Sequence, residues 1–155
     1  MMPNKVFYSW QSEMPDHRDL VRDALAESMR RLPWGLELDE SVRGVPGSPA
    51  IFKTITEKID RCAIFIADLT ICGKYFGQKS TPNPNVLVEY GYALRAVGAE
   101  SILTILNRRF GPPDDLPFDL RASNVSIIYE LTPEFSDEQR QRTVAIISSS
   151  LLRIR

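Results

Sequence analysis

The sequence predicts an α/β domain in which a parallel five-stranded sheet lies between two layers of helices, a three-layer sandwich. Three observations predict it. Short apolar runs alternate strictly with amphipathic helical patterns along the chain. One of those runs, Ala63-Ile64-Phe65-Ile66-Ala67-Asp68, is apolar without a break until its final acid, as strands buried on both faces are. And 155 residues suffice for one such domain with a real core, but not for two.

Each element follows in order. Lys5 to Trp10 reads as the first strand, centred on Val6-Phe7-Tyr8. Pro15-Asp16 opens a helix to about Leu32, with Leu20, Val21, Ala24, Leu25, Met29 and Leu32 as its apolar stripe. Pro33-Trp34-Gly35 stops it. Leu36 to Asp39 is a short second strand, and Glu40 to Ser48 a loop. Ser48-Pro49 then starts a second helix lined by Ile51, Phe52, Ile55 and Ile59. The third strand is 63–68, and Thr70 to Pro82 reads as a mobile loop. Asn83 caps a helix from Pro84 to about Val97, which Gly98 ends. Ser101 to Leu106 is the fourth strand, 111–120 an irregular connection, Asn124 to Tyr129 the fifth strand, and about Phe135 to Leu152 the last helix. Right-handed crossovers then give a flavodoxin-like sheet of strand order 2-1-3-4-5. Its switch point brings residues 8–10, residues 68–70 and the start of the 84–97 helix together.

Composition excludes several functions. With 19 basic and 20 acidic residues the net charge is −1, which leaves no electrostatic footprint for nucleic acid. No apolar run is long enough to span a bilayer, and the N-terminus enters a strand at once, so a cytoplasmic protein without a signal peptide is expected. Cys62 and Cys72 fit no zinc spacing and the single His17 cannot complete one, so no metal site is expected. Cys62 is expected to pack at a helix end. His17 reads as a solvated residue in the first helical turn. It is the only base for a triad, and Ser9 and Ser12 lack a GxSxG elbow, which excludes serine hydrolase chemistry. Neither GxxxxGK[ST] nor GxGxxG occurs, although Gly44-Val45-Pro46-Gly47-Ser48 before a helix could cradle an anion or simply turn the chain.

The candidate site centres on Glu89. Asn85, Glu89 and Tyr92 recur at helical spacing on one face, while Val86, Tyr90, Ala93 and Val97 offer a neighbouring face for burial. Asp68 and Glu89 are both expected on the rim at the carboxyl ends of the strands. Phe7 and Ser9 point to one side of the first strand, Tyr8 and Trp10 to the other, and Trp10 could stack on a planar ring or pack. Asp39 and Arg43 bracket the end of the second strand, as rim residues or as a surface ion pair. One carboxylate on a rim suits cleavage of a ribose–nicotinamide bond. A pyridinium leaves neutral and needs no acid, so a single anion facing the oxocarbenium-like centre is enough. Glu89 is the candidate catalytic residue, the alternative being an ordinary solvated helix Glu, and Tyr8, Ser9, Trp10, Asp39, Arg43, Asp68, Asn85 and Tyr92 are the candidates for holding substrate. NAD⁺ is then a substrate, and no cofactor is needed.

Five segments, in this order, carry a family resemblance: Lys5-Val6-Phe7-Tyr8-Ser9-Trp10-Gln11-Ser12, the loop Asp39 to Pro49, Ile64-Phe65-Ile66-Ala67-Asp68-Leu69-Thr70, Asn83 to Leu94, and Leu116-Pro117-Phe118-Asp119-Leu120. Together they resemble the bacterial TIR-like domains of antiphage defence, which are often fused to cyclic-oligonucleotide sensors such as SAVED or STING domains. The resemblance implies an NAD⁺ glycohydrolase with Glu89 in the family's catalytic position. It also implies that the loop 40–48 serves assembly and a composite active site, and that activity is switched on in filaments or oligomers. The Asp68-Leu69-Thr70 and Asn85 to Ala93 segments also resemble nucleoside 2-deoxyribosyltransferases, which use a Glu on that helix. A non-catalytic TIR scaffold is the alternative from another class. Residues 1–155 are read as one TIR-like domain, excised from a longer sensor–effector chain or activated by a separate partner.

Overall fold

The computed structural model describes residues 4–40, 48–77, 79–123, 125–132 and 134–154. The elements run β1 (Lys5–Ser9), α1 (Pro15–Arg30), β2 (Glu37–Glu40), α2 (Ser48–Asp60), β3 (Ile64–Asp68), β4 (Gly73–Tyr75), β5 (Lys79–Thr81), α3 (Pro84–Ala96), β6 (Ile102–Asn107), α4 (Phe118–Ala122), β7 (Ile127–Tyr129) and α5 (Asp137–Ile154). Short 3₁₀ turns occupy Ala99–Ser101, Arg108–Phe110 and Pro113–Asp115.

The main sheet is parallel, with order β2-β1-β3-β6-β7, the 2-1-3-4-5 order the alternation predicts. Its register sets Ser9 beside Ala67, Asp68 beside Ile105, and Asn107 beside Tyr129, so these strand ends form one rim. Because strand side chains alternate, the sheet divides two cores. On one face Val6, Tyr8, Ile64, Ile66, Leu103, Ile105 and Ile127 pack against Val21, Ala24 and Leu25 of α1 and Val144, Ile147 and Leu151 of α5. On the other, Phe7, Phe65 and Ala67 pack against Ile55 and Ile59 of α2 and Val86, Tyr90 and Ala93 of α3. Phe7 and Phe65 stack at 5.7 Å across adjacent strands.

Local chemistry sets the helix ends. Asn83 caps α3, its Oδ1 accepting the Asn85 N–H at 2.6 Å, and Pro84 fills the first helical position where no N–H is required. Gly98, at φ 81°, turns the chain out of α3 in a conformation that side chains resist. Ser136 and Gln139 form a reciprocal capping box at the start of α5.

Three expectations need correction. The stretch 70–82 is not a bare loop but holds the antiparallel hairpin β4–β5, with Gly73 opposite Thr81 and Tyr75 opposite Lys79. Phe76 and Gly77 turn it with φ of 49° and 70°, the left-handed backbone that tight hairpins use. Three-residue strands show too little alternation to be read from sequence. The connection 111–120 is likewise ordered, carrying a 3₁₀ turn and the start of α4. The fifth strand is shorter than read, Ile127–Tyr129.

Candidate functional site

The rim is built from β1 outward. Ser9, the last residue of β1, is fully buried on the α2/α3 side, and its Oγ donates to Glu89 Oε2 at 2.5 Å. Glu89 is the sixth residue of α3 and only 9% exposed, on the face it shares with buried Val86, Tyr90 and Ala93. Burial raises its carboxyl pKa above the ordinary 4.5, and the Ser9 hydrogen bond works in the opposite direction. The helix dipole offers little relief, because its effect is concentrated in the first turn and Glu89 lies beyond it. The result is a buried carboxyl group, held by one hydroxyl, at the carboxyl end of the first strand.

The helix carrying Glu89 is fixed at its N-terminus by Gln11. This fully buried amide donates to Asp68 O at 2.6 Å and Thr70 O at 2.7 Å, and its Oε1 accepts the Asn83 N–H at 2.9 Å. Three segments, after β1, after β3 and before α3, are thus tied through one side chain. The Asn83 amide then donates to Ser12 Oγ and to both carboxylate oxygens of Glu13, at 2.6 and 2.7 Å.

Behind the rim, on the α1/α5 face, lies a second polar cluster. Asp68 is completely buried; its Oδ1 accepts the Thr70 N–H at 3.0 Å, and its Oδ2 accepts Tyr8 OH at 3.2 Å. His17 Nε2 stands 3.3 Å from the same Oδ2 and 3.3 Å from Tyr129 OH, while its Nδ1 lies 3.4 Å from Asn107 Nδ2. Burial, reinforced by the Asp68 charge, pushes both the Tyr8 and Tyr129 hydroxyl pKa values well above the ordinary range, so both stay protonated donors. Asn107 donates to Leu131 O at 2.6 Å, and its backbone N–H binds Thr70 Oγ1 at 2.9 Å.

This arrangement divides the residues expected around substrate. It brings Ser9 to Glu89 and leaves Asn85 exposed at the start of the same helix. Tyr8 and Asp68 are sealed on the opposite face of the sheet, because residues 8 and 68 have the other parity from Ser9 and Ala67. They brace the rim instead of lining it. Trp10 is also on that face, packed in the α1/α5 core under the Arg18 guanidinium, 4.4 Å from the ring centroid. Tyr92 points away from the rim: its hydroxyl donates at 2.8 Å to Asp60, the last residue of α2, near the start of β3. Asp39 accepts Lys58 Nζ at 2.5 Å, an ion pair between β2 and α2. Arg43 lies outside the described residues, as does most of the loop 40–48.

His17 is the largest surprise. It is 5% exposed, not solvated. The signal was present, since His17 stands four residues before Val21 and seven before Ala24, on the buried stripe of α1. Gln11, Thr70 and Asn107 carry the rim but left no periodic trace, because each acts from a loop or strand end on partners distant in sequence. Cys62 is buried just beyond α2, as expected, and burial raises its thiol pKa to about 11.

No protein-family model matches the chain, and no curated protein matches it. Solved structures do. The Clostridium botulinum CMP N-glycosidase BcmB matches at 18% identity and TM-score 0.55, over 89% of this chain and 96% of that one. The RPS4 and RRS1 TIR domain heterodimer matches at 15% identity and TM-score 0.54, over 94% and 97%. A 2-desoxiribosyltransferase from Leishmania mexicana matches at 19% identity and TM-score 0.49, over 68% of this chain and 65% of that enzyme's length. At these identities the likeness is one of fold: the chain shares its α/β architecture with a TIR domain and with an N-glycosidase.

Proposed function

We propose that the chain hydrolyses an N-glycosidic bond, with NAD⁺ as substrate and Glu89 as its catalytic carboxylate. The observation that carries this is the buried Ser9–Glu89 pair at the carboxyl end of β1. In the ionised state Glu89 faces the ribose as the C1′–N bond breaks. The bonding electrons pass to the pyridinium nitrogen, nicotinamide leaves neutral, and water adds at C1′ and releases a proton. Low local dielectric strengthens the attraction between Glu89 and the oxocarbenium-like charge. Ser9 holds the carboxylate in place, and the reading gives Asn85, exposed at the start of the same helix, a ribose hydroxyl or the carboxamide to bind.

The biological reading rests on the resemblance to TIR-like defence domains. The chain acts as an effector of bacterial antiviral immunity, triggered by a cyclic-oligonucleotide-sensing domain or partner and activated by self-association through TIR–TIR contacts. Support for such contacts comes from the heterodimer among the fold's relatives. A neighbouring subunit laid across the rim would keep water from the substrate while the bond breaks.

A second reading, an N-glycosidase acting on a pyrimidine nucleotide, is favoured by one observation. Burial raises the Glu89 pKa, and a carboxyl kept protonated could donate to a departing base that cannot leave neutral unaided. One experiment separates the readings. Nicotinamide release from NAD⁺ and cytosine release from CMP are followed against pH, across a hundredfold dilution, for wild type and Glu89→Gln. The NAD⁺ reading expects nicotinamide release that rises as Glu89 ionises and falls on dilution. Cytosine release that declines as pH rises supports the second reading. No turnover of either substrate at high protein concentration, with the chains also forced together by a fused oligomerising domain, leaves a scaffold.

A further inference from the structure

We propose a nucleotide-binding site in the cavity between the β4–β5 hairpin and the segment 113–121. The proposal does not rest on the role given to Glu89. The cavity is about 660 Å³, within the range that holds drug-sized ligands. Its hairpin wall presents Lys74, Tyr75, Lys79 and Ser80, and its other wall presents Asp114, Asp115, Phe118 and Arg121.

Three kinds of chemistry converge there. The first is cationic. Lys74 and Lys79 form no ion pair with any described residue, and Arg121 reaches only a backbone carbonyl, Asp114 O, at 3.1 Å. Against the two carboxylates of the lining, Asp114 and Asp115, these three cations leave the hollow with a positive excess of one charge, which favours an anion. The second is aromatic. Tyr75 and Phe118, 40% and 73% exposed, stand on the two walls, each with a cation 5.9 Å from its ring centroid (Lys79 and Arg121). Exposed rings of this kind stack on planar bases. The third is acidic. Asp114 and Asp115 line the same cavity and can accept hydrogen bonds from sugar hydroxyls or an exocyclic amine.

Cations for phosphate, rings for a base and carboxylates for a sugar together describe a nucleotide. A bare phosphate would leave the rings and acids without a role. The hairpin supplies half of this cavity, which gives a reason for an ordered excursion between β3 and α3 where the sheet itself needs none.

The test is calorimetric titration with ADP, inorganic pyrophosphate and adenosine at low ionic strength, on wild type and on Glu89→Gln, which keeps the probe intact. Amide chemical shifts locate binding. ADP is expected to bind more tightly than either of the other probes, to weaken with added salt, and to shift residues 73–81 and 114–121. The double substitution Lys74→Ala/Lys79→Ala, and separately Arg121→Ala, should weaken ADP about tenfold or more. Their melting temperatures should be unchanged, since these side chains are exposed. The proposal is overturned if ADP binds no tighter than adenosine, or no tighter than pyrophosphate. It is equally overturned if the substituted proteins bind ADP like wild type, or if the shifts fall elsewhere.

Discussion

Ser9→Ala tests the central geometry most directly. The hydroxyl is fully buried and donates at 2.5 Å to a carboxyl group that is itself 9% exposed, so water cannot replace it. A hydrogen bond to a charged group is worth about 1.5–3 kcal/mol, and one to a neutral group about 0.5–1.5 kcal/mol. At this chain length each kcal/mol shifts the melting temperature by about 2–4 °C, so Ser9→Ala should lower it by roughly 3–12 °C when Glu89 is ionised. The sign of the pH dependence follows from the raised Glu89 pKa. Ionised Glu89 weakens the fold as pH rises through that raised value, and below the ordinary 4.5 the group is protonated in both folded and unfolded chains. The Ser9 bond offsets part of that loss. Its removal should therefore cost most above neutrality and least at low pH. Melts of wild type, Ser9→Ala, Glu89→Gln and the double variant, at about pH 8 and about pH 4, close a double-mutant cycle. An equal loss in the Glu and Gln backgrounds, or the same loss at both pH values, would refute the claim that Ser9 supports a buried charge.

Other outcomes are expected. Glu89→Gln should raise the melting temperature at neutral pH, because it removes a charge whose burial is unfavourable, while lowering NAD⁺ turnover by about 100-fold or more. A fall in stability, or turnover within a few-fold of wild type, contradicts this. Gln11→Leu leaves the Asp68 and Thr70 carbonyls and the Asn83 N–H buried without their partner, at about 1–3 kcal/mol each, so urea unfolding should show a loss above about 3 kcal/mol. A loss under about 1 kcal/mol means that water takes over all three bonds. Ellman titration of the native protein should find one thiol reacting ahead of the other. Cys72 is partly exposed, although burial raises its thiol pKa as well, whereas Cys62 is buried with its thiol pKa raised to about 11. Two equally fast thiols would place Cys62 at the surface.

Much of this fold is local and was therefore legible. The apolar run 63–68, the Asn83-Pro84 start of α3 and the stripe Leu20-Val21-Ala24-Leu25 express periodicity and capping, which depend on near neighbours in the chain. Alternating elements and right-handed crossovers then leave few topologies, and the 2-1-3-4-5 order is one of them. The helix and strand that carry Glu89 and Ser9 could be named for the same reason.

Tertiary structure alone decided how the rim was divided. Strand parity sent Ser9 toward Glu89 but turned Tyr8, Trp10 and Asp68 to the other face, where a buried His17, Tyr129 and Asn107 were waiting. Parity was readable along each strand, but which helices cover which face is a global property. The same holds for Gln11, whose three partners lie 57, 59 and 72 residues away. A polar side chain in a loop has no period to betray it. Its role exists only once three distant segments meet, because their buried backbone groups must find partners inside the protein.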